Sequence, residues 1–190
     1  MARPRKFEED RAVEAAMRAF WTAGYEATST QDLCAATGLG RSSIYNTFAS
    51  KHDLFHKALR HYMDERNALL AELMDGDLPL KAKVRTVLWW AVEPEPDDPI
   101  GCMVVNSMIE LGPRDPEIAE LLRRDNDLRA QLMRSAIETA RARGEIDAGK
   151  DPLALARFVF ATVSGLRVMA RGGADRAALE SVARTALDAF

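Results

Sequence analysis

Residues 30–55 read TQDLCAATGLGRSSIYNTFASKHDLF, and this stretch decides the fold. It has the grammar of a short helix, a glycine turn, a second short helix and the capped start of a third. A helix-turn-helix is built this way and lays its second helix in the DNA major groove. Ser29 or Thr30 can cap the first helix, with Asp32 beside the positive end of its dipole. Leu33, Ala36 and Cys34 fall on the inward side. Gly38 stands where the chain leaves the helix, a position that favours positive φ. Leu39 is an apolar plug in the turn. The second helix, Arg41 to Thr47, turns Ile44 inward, and Phe48 follows it onto the core. Arg41, Ser42, Ser43, Tyr45, Asn46 and Thr47 are left outside, rich in hydrogen-bonding groups and free of acids. Such a surface suits phosphates and base edges. Ser50, followed by Lys51, His52 and Asp53, predicts the N-cap and first turn of the next helix.

The wider stretch GYEATSTQDLCAATGLGRSSIYNTFASKHDLF, residues 24–55, resembles the DNA-binding segment of the TetR family of bacterial transcription regulators. The matching landmarks are Phe20, Gly24, Tyr25, Thr28, Ala35 to Gly38, Ile44, Tyr45, Phe48, Ser50, Lys51, Leu54 and Phe55. They span roughly the first third of the chain; beyond residue 60 the resemblance rests on length and helical pattern. It implies an all-α fold of about nine helices. An N-terminal three-helix DNA-binding domain would occupy residues 1–50. A fourth helix, 51–74, would link it to a ligand-binding and dimerisation body that makes up the rest of 51–190. Ser43, Tyr45 and Lys51 would contact phosphates, with Thr28 and Thr30 as further phosphate contacts. Arg41, Ser42 and Asn46 would face base edges. The chain departs from the family pattern in three places. Gly40 replaces a common Ser, so the second helix loses a side-chain cap, at a cost of a few tenths of a kcal/mol. Ser42 stands where Gly is frequent, and Asn46 and Thr47 replace a His and an aromatic residue. These changes bear on the operator sequence, not the binding mode.

Composition bounds the rest. The chain has 190 residues, 47% hydrophobic, with a formal net charge of −3. That is enough for a sizeable core in one or two domains. Overall acidity alone argues against nucleic acid, but the charge is uneven. Residues 1–60 carry nine Lys/Arg against seven Asp/Glu, a net of +2, leaving −5 for the remainder. A small basic head on an acidic body fits DNA binding through one face. Arg3, Arg5 and Lys6 read as a short basic arm before the first helix, either a solvated terminus or an arm on phosphate or the minor groove. No apolar run approaches the roughly 20 residues that span a bilayer, and the N-terminus lacks a signal-like apolar stretch. Two cysteines in this length point to a reducing compartment. The expectation is a cytoplasmic protein with no membrane partner.

The remaining chain reads as helices. The first runs from about Glu8 to Ala23 and is ended by Gly24. Asp75, Gly76 and Asp77 break the fourth, and Pro79 opens a fifth. Asp98 and Pro99 read as cap and first residue of a helix spanning Gly101 to Leu111. Asp115–Pro116, Asp151–Pro152 and Asp175 open three more. The final two helices carry Leu155, Val159 and Val163, and Leu179, Val182 and Leu187, at helical spacing. Apolar surface on more than one side needs a partner. The resemblance likewise implies a four-helix dimer interface from these elements. A two-fold homodimer predicts a near-palindromic operator on double-stranded DNA; the alternative is that both helices are only internal core.

The middle helices would enclose a cavity for an unknown small-molecule effector. Candidate walls are Trp89, Trp90, Met103, Asn106, Met108, Met133, Phe158 and Arg167; plain core is the alternative for each. Cys102, in a first helical turn, suits either a redox sensor, its thiolate favoured by the dipole, or a buried thiol. Asp97 and Asp98 nearby oppose the thiolate. His52, His56 and His61 lack the partners of a metal site. No phosphate loop or nucleophile elbow is present. No catalytic residue, metal or cofactor is therefore expected. The expected function is a ligand-responsive DNA-binding regulator, most simply a repressor. A helical binding protein or enzyme without DNA binding, and a ligand-independent DNA binder, are the alternatives.

Overall fold

The computed structural model describes residues 3–190, with side chains from Glu9 onward. Nine helices and no strand occur among the described residues: α1 (Arg3–Ala23), α2 (Thr30–Thr37), α3 (Arg41–Thr47), α4 (Lys51–Asp75), α5 (Leu80–Val92), α6 (Met103–Glu110), α7 (Pro116–Ala142), α8 (Pro152–Arg171) and α9 (Arg176–Leu187). The first helix begins at Arg3, not Glu8. The side chains of the expected basic arm, Arg3, Arg5 and Lys6, lie outside the described residues.

Short polar side chains start most of these helices. Ser29 accepts from the Asp32 N–H while Asp32 bonds back to the Ser29 N–H, a reciprocal capping box that satisfies two otherwise orphaned donors. Ser50, Asp115, Asp151 and Asp175 cap α4, α7, α8 and α9 one way, each side chain accepting from first-turn N–H groups. Gly38 ends α2 at φ 70°, the left-handed region where an L side chain would be strained. The expected cap at Asp98–Pro99 is not used. Helix α6 starts at Met103, with Cys102 at its N-cap and no side-chain cap, because the Asp98 carboxylate is taken by Arg66 at 2.6 Å and by Arg18 at 3.6 Å.

Two apolar clusters hold the chain. The first joins α1, α2, α3 and the first half of α4 to α6 and the start of α7. Phe20 lies edge-on to Phe55 with centroids 5.1 Å apart, and Trp21 edge-on to Tyr62 at 4.9 Å. Burying each such side chain is worth about 1.5–3 kcal/mol. The second cluster joins the end of α4 to α5, the second half of α7, α8 and α9. Helix α4 threads both: Leu54 to Met63 lie in the first, Leu70 and Met74 in the second. Of the residues expected inside the head, Leu33 is buried, Cys34 is half-buried and Ala36 is exposed.

Helix α8 is, by length and composition alone, apolar enough to cross a membrane, although Arg157, Arg167 and Arg171 interrupt its apolar run. In the fold it packs on α5, α7 and α9. Much of its apolar surface nevertheless stays uncovered, with Phe158 43% and Val168 49% exposed.

Candidate nucleic-acid interface and ligand cavity

The outer face of α3 carries Arg41, Ser42, Ser43, Tyr45 and Asn46, all exposed, while Ile44 is buried and Phe48 closes the helix behind it. The Tyr45 hydroxyl lies 3.1 Å from Thr30 Oγ1, tying α3 to the start of α2. The Arg41 guanidinium sits 5.8 Å from the Tyr45 ring centre, a weak cation–π contact that leaves its donors available. Lys51 opens α4 with its Nζ 4.4 Å above the Tyr25 ring. Seven of the eight expected contact residues therefore sit on or beside one exposed polar surface. The eighth, Thr28, does not. It is 1% exposed, and its hydroxyl donates to the Gly24 carbonyl at 2.6 Å. Thr28 closes the loop between α1 and α2, and its hydroxyl is turned away from the surface expected to carry it.

The head is fastened to the body through α6. Glu110, its last residue, accepts from the Tyr25 N–H at 2.9 Å and the Glu26 N–H at 2.8 Å. Asn106 reaches the Trp21 carbonyl at 3.5 Å. Gly24, at φ 91°, leaves room for the Glu110 carboxylate, which would lie 3.0 Å from an added Cβ. Beside this strut, His52 Nε2 lies 2.6 Å from Asp115 Oδ2. Partial burial pushes the Asp115 carboxyl up, but the Ile118 N–H, His52 and the Glu117 N–H outweigh it and hold it below its ordinary value. Burial, with the acids Glu26, Asp115 and Glu110 around it, raises the Tyr25 phenol.

A cavity of about 220 Å³ opens between α4, α5, α6, α7 and α8. Of the expected wall, Trp90 and Arg167 line it, and Cys102 does as well. The other six do not, each for a packing reason. Met103 and Met133 are sealed in the two cores, 1% and 0% exposed. Asn106 is turned to Trp21. Met108 and Phe158 are exposed on the surface. Trp89 lies half-buried between the guanidinium groups of Arg85 and Arg184. In their place the fold supplies Tyr62, Arg66, Asn67, Asp125 and Arg129 from α4 and α7. The signal for these was a run of polar residues along the inward stripe of α4 and α7, where a helix should be apolar. Arg167 donates to the Trp90 and Gly101 carbonyls. The Tyr62 hydroxyl donates to Cys102 Sγ at 3.5 Å, and burial chiefly drives the Tyr62 phenol far above its ordinary value. No group of three metal-ligating side chains occurs among the described residues.

The expected dimer residues divide. Val159, Leu179 and Leu187 are buried within the subunit, Leu155 is half-buried, and Val163 lines the cavity. Val182 alone of the six is exposed.

Comparison with known proteins supplies the context for this geometry. Residues 12–58 match the model for bacterial regulatory proteins of the tetR family, and residues 80–186 match the tetracyclin repressor-like C-terminal domain. The chain is 31% identical over 188 residues to the HTH-type transcriptional repressor ComR of Escherichia coli K12, covering 97% of this chain and 90% of that protein. A cysteine-substituted form of the TetR family regulator CifR, solved with 26-base-pair operator DNA, superposes with a TM-score of 0.85 at 29% identity over 95% of each chain. A TetR regulator from Chloroflexus aurantiacus superposes at 0.87 and 27% identity, over 96% of this chain and 93% of the other. With an exposed recognition helix on a capped helix-turn-helix and a helical body matching along most of its length, this chain belongs to the tetR family and is a DNA-binding transcriptional regulator.

Proposed function

We propose that the chain is a repressor that holds a near-palindromic operator as a homodimer and releases it when a small molecule enters the cavity. Ser43, Tyr45, Lys51 and Thr30 contact phosphates; Arg41, Ser42 and Asn46 contact base edges. The observation that carries the ligand response is the course of α6. Cys102, Val104 and Val105 at its start line the cavity, while Asn106 and Glu110 at its end hold the backbone of Trp21, Tyr25 and Glu26 in the head. A molecule with different affinity for two positions of α6 must shift the heads by the same free energy. The repressor ComR and the operator-bound CifR support the DNA side of this reading.

The dimer face is the outer side of α8 and α9, where Phe158, Val168 and Val182 are exposed and Gly165 has open space above it. A second copy covers this stripe and sets the two α3 helices one or more DNA turns apart. The chain regulates and does not catalyse, and it works beside the chromosome in the cytoplasm. Selection of bound duplexes from random DNA, followed by sequencing, tests the reading. A recovered palindrome supports a dimeric operator binder. Enrichment of single half-sites without spacing would overturn the dimer, and enrichment of no motif at low salt would overturn sequence recognition.

A further inference from the structure

The polar groups around the cavity fall into two sets. On one side the donors are mostly engaged: Arg66 bonds Asp98 at 2.6 Å, and Arg167 bonds two backbone carbonyls. On the other side the acceptors are not. Asn67 Oδ1 is buried with no hydrogen-bond partner. Asp125 is 6% exposed; its Oδ1 accepts from Asn67 Nδ2 at 2.7 Å. Its Oδ2 lies 3.9 Å from Arg129, beyond hydrogen-bonding range, and that guanidinium sits 4.5 Å over the Phe160 ring. A buried carboxylate with one hydrogen bond and one long ion pair is poorly compensated. Burial accordingly raises the Asp125 carboxyl, with Asp64 adding to the rise and Asn67 and Arg129 opposing it.

Resting on the reading of this cavity as the effector site, we propose that it takes a small aromatic primary amine, its ammonium shared by the Asp125 carboxylate and Asn67 Oδ1 and its ring set among Tyr62, Trp90 and Val104. An ammonium offers three donors and no acceptor, so one group serves both Asn67 Oδ1 and the Asp125 Oδ2 that has no hydrogen bond, and adds positive charge beside a carboxylate whose Arg129 partner stands 3.9 Å away. The cavity volume is below the roughly 300–1,000 Å³ of sites for drug-sized ligands, which limits the ligand to about one ring. Two donors at the cavity would prefer an acceptor: the Arg66 Nε, buried without a partner, and the Arg129 guanidinium, whose ion-pair partner Asp125 Oδ2 is 3.9 Å away; the Arg66 charge is already met by Asp98. An anionic ligand is therefore the competing outcome.

Benzylamine, benzyl alcohol and benzoate have one frame and differ in charge and donors. Each is titrated by calorimetry into the full-length protein, and release of operator DNA is read in parallel by fluorescence anisotropy. Benzylamine is expected to bind at least about tenfold more tightly than either relative. Asp125→Asn, close to isosteric, should cut benzylamine affinity by at least about tenfold and change benzyl alcohol by less than about twofold. Asn67→Ser keeps the carboxylate and should weaken the amine about threefold, so the test survives if the first variant fails to fold. Val163→Trp, which fills the cavity, should abolish binding of the amine. Benzoate or benzyl alcohol binding as tightly as the amine, absence of amine binding, or an amine affinity indifferent to Asp125→Asn would each overturn the proposal. Amine binding with no loss of DNA affinity would uphold the amine site and overturn its role as the effector site. Release of DNA by another probe alone would do the reverse.

Discussion

The outer face of α3 and the wall of the cavity handle polar side chains in opposite ways. On α3, Arg41, Ser42, Ser43, Tyr45 and Asn46 stand in solvent, and among the described residues their side-chain interactions are the Thr30–Tyr45 pair and the loose stacking of Arg41 on Tyr45. In the cavity, Arg66, Arg167, Tyr62 and Asn67 are each tied to a group far along the chain. A surface of free donors can be altered without disturbing the fold. A wall of mutually bonded groups cannot, because binding and stability there draw on the same partners.

The largest effect is expected beneath both regions. Phe20 is 1% exposed and meets Phe55 and Tyr25. Phe20→Ala should destabilise the protein by about 3–5 kcal/mol, read by denaturant unfolding. The first core cluster includes α6 and the start of α7, so the loss should be felt in body and head together, in one unfolding transition. Separate transitions for the two would break the picture of a shared core.

Next come substitutions that sharpen the contrast on the α3 side. Arg41→Ala should remove about 1–3 kcal/mol of discrimination at the base pairs it reads. Tyr45→Ala should weaken binding to all sequences alike. Both should leave stability within about 0.5 kcal/mol. Competition binding against a library of operator variants, with thermal melts alongside, checks both. Uniform loss from both variants would remove the division between reading and positioning. A large loss of stability would show that α3 is not the free surface described.

Two carboxylates test the other half of the comparison through pH. Asp125 is raised in the folded state by burial. Its protonated form therefore contributes stability that is fully present below the unfolded value and lost as pH rises through the folded one. Asp125→Asn should melt higher than the parent at neutral pH, and the gap should close on acidification. Asp115 is the opposite case. Although burial pushes it up, the Ile118 N–H, His52 and the Glu117 N–H hold it below its ordinary value. Its contribution is present above the unfolded value and lost as pH falls through the folded one. Asp115→Asn should melt lower at neutral pH and converge with the parent in acid. Melting curves from neutral pH down to about pH 3 decide both, and a shared sign for the two variants would contradict the assignment of causes.

What could be read from the sequence follows the same divide. The helix-turn-helix was legible because its determinants are local: Ser29 and Asp32 three apart, Gly38 at a turn, Ile44 and Phe48 on one stripe. Thr28 escaped because a threonine in a loop looks solvated, and only the closed Gly24–Thr28 loop turns its hydroxyl inward. The cavity was legible in outline through Trp90 and Arg167 alone, but not in its chemistry. Asn67 and Asp125 meet across 58 positions of chain, and nothing near either announces the other. Helix α8 is apolar nearly all round, so spacing could not tell the stripe facing the core, with Val159, from the one facing outward, with Phe158 and Val168.

The smallest effect isolates an element of the head whose start has no side-chain cap. Gly40 is the N-cap of α3, at φ −67° and ψ 155°, with no side-chain bond to the first turn. Those angles are ordinary for any residue, and a Cβ added there would meet nothing within 4 Å. Gly40→Ser should therefore gain a cap without strain, worth a few tenths of a kcal/mol, since glycine is already a tolerable cap. A two-state melt of adequate precision should show a small rise. The same hydroxyl would lie beside Arg41, at the edge of the DNA-facing surface, so operator affinity has to be measured with it. A gain in stability with unchanged affinity would mean that the bare cap is a neutral choice. A gain in stability with weakened binding would mean that the glycine is kept for close approach of the backbone to DNA, and the free character of the α3 surface would then extend to its first backbone group.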